Sequence, residues 1–210
     1  MARASICGYV DAYTLLNFGV YASFMTGNTT SAGVRAGAKE FALAGHSLLP
    51  IPSFILGVVL ATLMAHADER RAPHRLSALP AAMLLIDVLA VCVRSPDWLS
   101  IVILSTAMGI LNTSVTKVGN QPVSLGFMTG DLNSLAKDVA EGIESKPIAP
   151  GAGQWDGPWL RAGVLAILWV SFLCGAVLGA ILSPHFAAWT LALPAVALLG
   201  FAWRERRMQF

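Results

Sequence analysis

At 210 residues, 56% hydrophobic and only 12% charged, with a mean hydropathy of +0.66, the chain falls outside the composition of a soluble domain and belongs in a bilayer. A net charge of +2, with basic residues grouped at the ends of apolar stretches, argues against nucleic acid as a partner. Cys7, Cys92 and Cys174 are odd in number, far apart and set in apolar sequence, which argues against a disulfide framework or a thiolate metal cluster.

An apolar run of about 20 residues crosses the roughly 30 Å of hydrocarbon in a bilayer. Six such runs are expected, at roughly 6–25, 41–65, 76–94, 98–118, 158–182 and 186–203. The first contains Asp11 and Asn17 and ends at Phe24-Met25-Thr26-Gly27-Asn28. The second carries Ser53-Phe54 with Gly57, Val59 and Leu60, and the third begins at Ala78-Leu79-Pro80-Ala81 and contains Asp87. The fourth contains Asn112 and Lys117 and runs towards Phe127-Met128-Thr129-Gly130-Asp131. The fifth carries Ser171-Phe172 with Gly175, Val177 and Leu178, and the sixth opens on Ala192-Leu193-Pro194-Ala195.

The blocks of the first half thus return in order in the second, so the chain is an internal duplication. Residues 1–97 form one three-helix repeat and 98–210 the other. An odd number of spans per repeat places the copies in opposite orientations, an arrangement that recurs in transporters. The fold expected is all-α and integral to the membrane: six transmembrane helices in two inverted-topology repeats. The copies differ mainly by a Pro/Gly-rich loop at about 144–157 in the second. Before it, Leu132, Leu135, Ala136, Val139 and Ile143 recur at helical spacing opposite Lys137, Asp138, Glu141 and Glu144, predicting an amphipathic helix at the inner interface.

Arg3, Arg70, Arg71, Arg75, Lys137, Lys146, Arg204, Arg206 and Arg207 fall on one side of this topology, against Arg35, Lys39 and Arg94 on the other. The positive-inside rule therefore puts both termini in the cytoplasm of a multi-pass plasma-membrane protein. Trp98, Trp159, Trp189 and Trp203 fall near span ends, where amphipathic rings favour the headgroup level, whereas Trp169 is mid-span and reads as packing or lipid-facing, not as a ligand contact.

Polar groups inside a span are costly, about 2.5–3.5 kcal/mol for Asp, Lys or Arg at the helix centre, so each needs a partner or a task. Aligning the copies brings Asp11 opposite Asn112 and Asn28 opposite Asp131, an exchange of acid and amide. With inverted halves, Asp11 and Asp131 are expected towards the cytoplasmic side and Asn28 and Asn112 towards the outside, a polarity that suits a cation or proton. Lys117 should meet a carboxylate, water or an anionic substrate. Structural roles stand beside these: Asp11 as a helix anchor, Asp131 as the start of the amphipathic helix, and Lys117 as half of an ion pair with Asp11 or Asp87 or as a side chain snorkelling from the span's end. Gly119-Asn120-Gln121-Pro122 interrupts the fourth span, and Thr26, Gly27, Thr129 and Gly130 are read as helix breaks exposing backbone to a substrate. His46, His66, His74 and His185 show no metal-ligand spacing, and Ser114 with Lys117 lacks any sign of an oxyanion hole. Neither a cofactor nor an enzymatic reaction is expected.

Gly8-Tyr9-Val10-Asp11-Ala12, then Phe24-Met25-Thr26-Gly27-Asn28, with a second Thr-Gly after Gly109-Ile110-Leu111-Asn112, resembles the YoaK-like family of small bacterial inner-membrane proteins. The resemblance covers nearly the whole chain and implies a six-helix membrane protein without naming a substrate. The expected function is a small-molecule or ion transporter, or channel-like permease. Its site would be lined or gated by Asp11, Asn28, Asn112, Lys117 and Asp131, with Thr26, Gly27, Thr129 and Gly130 at the helix breaks. The alternative is a non-transporting sensor or assembly protein. Besides the lipid bilayer and a small molecule or ion, the partner list includes a second copy, since six short spans enclose little space.

Overall fold

A computed structural model describes residues 1–68, 72–114, 128–144 and 157–208, with backbone alone at 117–118 and 121–122. In chain order the helices are α1 (Ala2–Phe18), α2 (Met25–Gly37), α3 (Phe41–Leu48), α4 (Pro50–Ala67), α5 (Ala72–Cys92), α6 (Asp97–Thr113), α7 (Met128–Ile143), α8 (Pro158–Phe186) and α9 (Ala192–Arg207). A 3₁₀ turn, Ala187–Leu191, joins α8 to α9, and a two-residue ladder pairs Lys117 with Pro122 and Val118 with Gln121.

The helix limits have local causes. Gly19 takes the left-handed conformation (φ 67°) that ends α1, its N–H bonding the Leu15 carbonyl at 3.0 Å. Pro50 lacks an N–H and separates α3 from α4. Ala187 (φ 48°) ends α8.

Among the described residues, three segments are long and apolar enough to cross a membrane: Phe41–Ala67, Ala72–Cys92 and Pro158–Arg207. Asp97–Thr113 is a shorter apolar helix. This differs from the six runs read from sequence because α1 and α6 stop at 17 residues each, at the lower limit for a span, and because α8 and α9 form one continuous apolar stretch.

Packing crosses between the first and second halves of the chain. α1 lies on α8, α4 on α6, and α5 on α9. Glycines explain the first two pairings: a Cβ on Gly8 would overlap the Phe172 carbonyl, and one on Gly175 the Ser5 carbonyl. In the equivalent pair, a Cβ on Gly109 would overlap the Phe54 carbonyl and one on Gly57 the Thr106 carbonyl. Small residues that bring backbones into contact are a main source of helix association in lipid. The third pairing uses the other repeated block, with Pro80 and Ala81 buried in α5 and Pro194 and Ala195 buried in α9. Tyr13, Leu84, Leu104, Met108, Leu111, Leu168 and Leu198 fill the core between these helices. Val59, Leu60, Val177 and Leu178, also repeated positions, are exposed and form an apolar perimeter suited to lipid.

Candidate functional site

The chain turns back after Gly19, and two side chains hold the returning segment. Asp11 Oδ1 accepts from the Ser23 backbone N–H at 2.7 Å and Oδ2 from the Ser23 hydroxyl at 2.6 Å. Asn28 Oδ1 accepts from the Tyr21 N–H at 2.9 Å, while its Nδ2 donates to the Tyr21 carbonyl at 2.7 Å. Asp11 and Asn28 are thus brought together on one short segment, not separated towards opposite faces as the repeat alignment suggested. The physical reason is the early end of α1, which lets residues 19–24 fold back to the level of Asp11.

The same geometry corrects the placement of the helix breaks. Thr26 and Gly27 lie in the first turn of α2, and Thr129 and Gly130 in the first turn of α7. In the first copy the break is the segment before the motif. Gly27 packs against the Phe24 and Tyr21 rings, so its small size lets those rings settle on α2.

A cavity of about 380 Å³ opens beside this segment. The first copy lines it with Gly8, Asp11, Ala12, Leu15, Tyr21 and Phe24, and the second with Met128, Thr129, Leu132, Trp169, Phe172 and Ala176. Of the residues expected at a site, Asp11 and Thr129 reach its wall. Trp169, read from its mid-span position as packing or lipid-facing, lines it as well. The sequence could not reveal this, because the residues facing Trp169 come from the opposite copy. Asn112 lies near the end of α6, and Asp131 is buried in α7. Of Lys117 only the backbone is described, and the loop at 145–156 lies outside the described residues. No cation pairs with Asp11 or Asp87 among the described residues. Asp87 is fully buried, with the Ser100 side chain beside its carboxylate.

The amphipathic helix expected at the inner interface is α7, but it packs lengthwise on the first half of α8. Met128 and Thr129 share the cavity wall with Trp169 at one end. At the other, Arg161 of α8 holds Asp138 and Glu141, each at 2.7 Å. Arg161 carried no signal in the sequence, since a basic residue just inside a span reads as a boundary marker. Its counterpart link in the first copy joins α2 to α3, where Arg35 donates to the Leu43 carbonyl at 3.1 Å and the Ser47 hydroxyl at 2.7 Å. The cation sits on opposite partners in the two copies. Arg161→Gln is expected to weaken the docking of α7 by about 2 kcal/mol, seen as faster amide hydrogen exchange across 128–143 with α5 and α9 unchanged.

A second polar cluster closes one end of the helix bundle. Arg3 donates to the Ser77 hydroxyl at 2.7 Å and to the Ser114 carbonyl at 3.2 Å, and forms an ion pair with Glu205. Ser77 also donates to Glu205 at 2.8 Å. The start of α1, the start of α5, the end of α9 and the turn after α6 therefore meet at one place.

A family model described as "Protein of unknown function (DUF1275)" matches residues 1–203. The chain is 30% identical over 201 residues to UPF0700 transmembrane protein YoaK of Bacillus subtilis (strain 168), covering 92% of this chain and 86% of that protein. It is 28% identical over 224 residues to UPF0700 transmembrane protein RA0705 of Rhizobium meliloti (strain 1021), covering 99% of this chain and 87% of that protein. No solved structure matches.

Proposed function

We propose, from the premise that this chain belongs to the DUF1275 family and is a membrane protein like its transmembrane relatives, that it is a small-molecule permease of the bacterial plasma membrane. Two inverted three-helix repeats, six spans in all, would enclose a site between them, with both termini in the cytoplasm. The observation that carries the reading is the cavity itself, whose wall comes half from each copy and contains the buried carboxylate Asp11 next to a broken helix. Binding sites of inverted-repeat transporters lie at the repeat interface beside discontinuous helices.

The packing supports the inversion. α1 and α6 are equivalent first helices, yet the start of α1 meets the turn after α6 at the Arg3 cluster, as antiparallel equivalents require. The cross-copy pairs also give each repeat a share of the other's core, so rocking of one half would reshape the cavity. The sensor or assembly alternative, with the segment at 131–143 as a free working surface, gains less support because α7 lies along α8.

Uptake into proteoliposomes tests the function, with labelled choline, glycerol and lactate as cationic, neutral and anionic probes. Saturable, protein-dependent uptake of at least one probe is expected, falling about tenfold or more in Asp11→Asn if that carboxylate contacts the solute. Folded protein that moves none of the three would favour the non-transporting alternative.

A further inference from the structure

We infer that the cavity between the copies takes a small organic monocation, an ammonium carried on an apolar or aromatic body. The assignment deepens the permease reading and rests on it for movement of the ligand, though not for binding.

The first argument is charge. Asp11 is 4% exposed and lies in the cavity wall, with no cation paired to it among the described residues. The Ser23 N–H and hydroxyl and the Ala22 backbone N–H occupy three acceptor positions on the carboxylate. A carboxylate has about four such positions, so acceptor capacity remains for a ligand N–H. A carboxylate in a largely apolar wall is stabilised by a counter-charge, and a ligand cation supplies one.

The second argument is the rest of the wall. Tyr21 and Phe24 stand edge to face, centroids 5.3 Å apart and planes at 84°, so their ring planes form a corner. Trp169 and Phe172 add two more rings from the other copy. Aromatic faces beside a carboxylate are the chemistry that recognises ammonium groups, including quaternary ones. Among the described residues no Lys, Arg or His lines the cavity, which favours a cation over an anion. Among the described lining residues only Asp11, Thr129 and Tyr21 carry side-chain oxygens, too few for a bare metal cation or a sugar. The volume of about 380 Å³ suits a ligand of drug-fragment size.

The test is equilibrium binding to the purified full chain in nanodiscs near neutral pH. Three probes of one shape are compared: phenethylammonium, 2-phenylethanol and 3-phenylpropanoate. The ammonium is expected to bind about tenfold or more tightly than either of the others. Asp11→Asn should erase that preference. Because Asp11 also holds Ser23, Trp169→Leu serves as a second variant. Trp169 is partly exposed and makes no hydrogen bond among the described residues, so its loss should weaken ammonium binding several-fold without unfolding the protein. Alcohol or acid binding as tightly as the ammonium to the wild-type chain would overturn the assignment.

Discs of equal phosphatidylglycerol content, made up with either phosphatidylethanolamine or an uncharged glycolipid, separate two sources of the same chemistry at matched surface charge. Weaker probe binding in phosphatidylethanolamine marks a lipid ammonium as the resident, and equal binding marks a free amine; both support the cation assignment. Binding without uptake of benzyltrimethylammonium into proteoliposomes would remove the permease reading and leave this one standing. Uptake of a neutral or anionic probe without ammonium binding would do the reverse.

Discussion

Gly175→Val is expected to lower the thermal midpoint of the purified protein by roughly 6–12 °C, corresponding to about 3 kcal/mol of overpacking in a chain of this size. A Cβ at this position would overlap the carbonyl of Ser5, and a backbone atom cannot rotate away as a side chain can. Relief would require α1 and α8 to separate, which would open the cavity wall between Gly8 and Ala176. Gly57→Val, the equivalent change in the first copy, should cost a similar amount because its added carbon would overlap the Thr106 carbonyl. Gly200→Ala and Gly163→Ala are the controls. Nothing lies within 4 Å of either position, so helix propensity alone should make them neutral or stabilising by up to about 1 kcal/mol. A large loss in the controls, or none in Gly175→Val, would contradict the close cross-copy packing.

The second large effect concerns the segment that folds back beneath the cavity. Asn28→Ala removes both bonds to Tyr21 and leaves a backbone N–H and carbonyl without their partner, an expected loss of about 3 kcal/mol. Asn28→Asp should fail to rescue it, since a carboxylate can accept from the Tyr21 N–H but cannot donate to the Tyr21 carbonyl. Asp11→Ala removes two charge-assisted bonds to Ser23, but it also removes a buried charge, so its expected cost is smaller, about 2 kcal/mol. Amide exchange at Tyr21 and Ser23 should rise in both alanine variants. Unchanged exchange at those two amides would show that other contacts hold the segment.

Part of this architecture was legible in the sequence, and the reason is physical. Gly8, Gly57, Gly109 and Gly175 recur because two helix pairs need the same close approach, and Val59, Leu60, Val177 and Leu178 recur because both copies face lipid. A repeat shows that two surfaces are alike but not which surface each one meets. The pairing of α1 with α8 and α4 with α6 was therefore invisible, and with it the role of Trp169. Hydropathy also ran past the end of α1, because Val20, Tyr21, Ala22 and Phe24 are as apolar as a span. The left-handed turn at Gly19 is a local backbone property that a hydropathy average does not register. Arg161 was missed for a related reason: its partners Asp138 and Glu141 lie on another helix. Asp11 and Asn28 stand out in the sequence as costly polar groups, but their partners in the returning segment depend on that turn.

The central claim, two halves inverted about a shared site, is tested most directly by labelling single cysteines from one side of the membrane. In a background where Cys7, Cys92 and Cys174 are replaced, Lys39→Cys, Arg94→Cys, Glu144→Cys and Met208→Cys are each treated in intact cells with a membrane-impermeant maleimide. The account predicts labelling of the first two in intact cells and of the last two only after permeabilisation. Labelling of Glu144→Cys from outside, or protection of Arg94→Cys, would contradict the inverted arrangement.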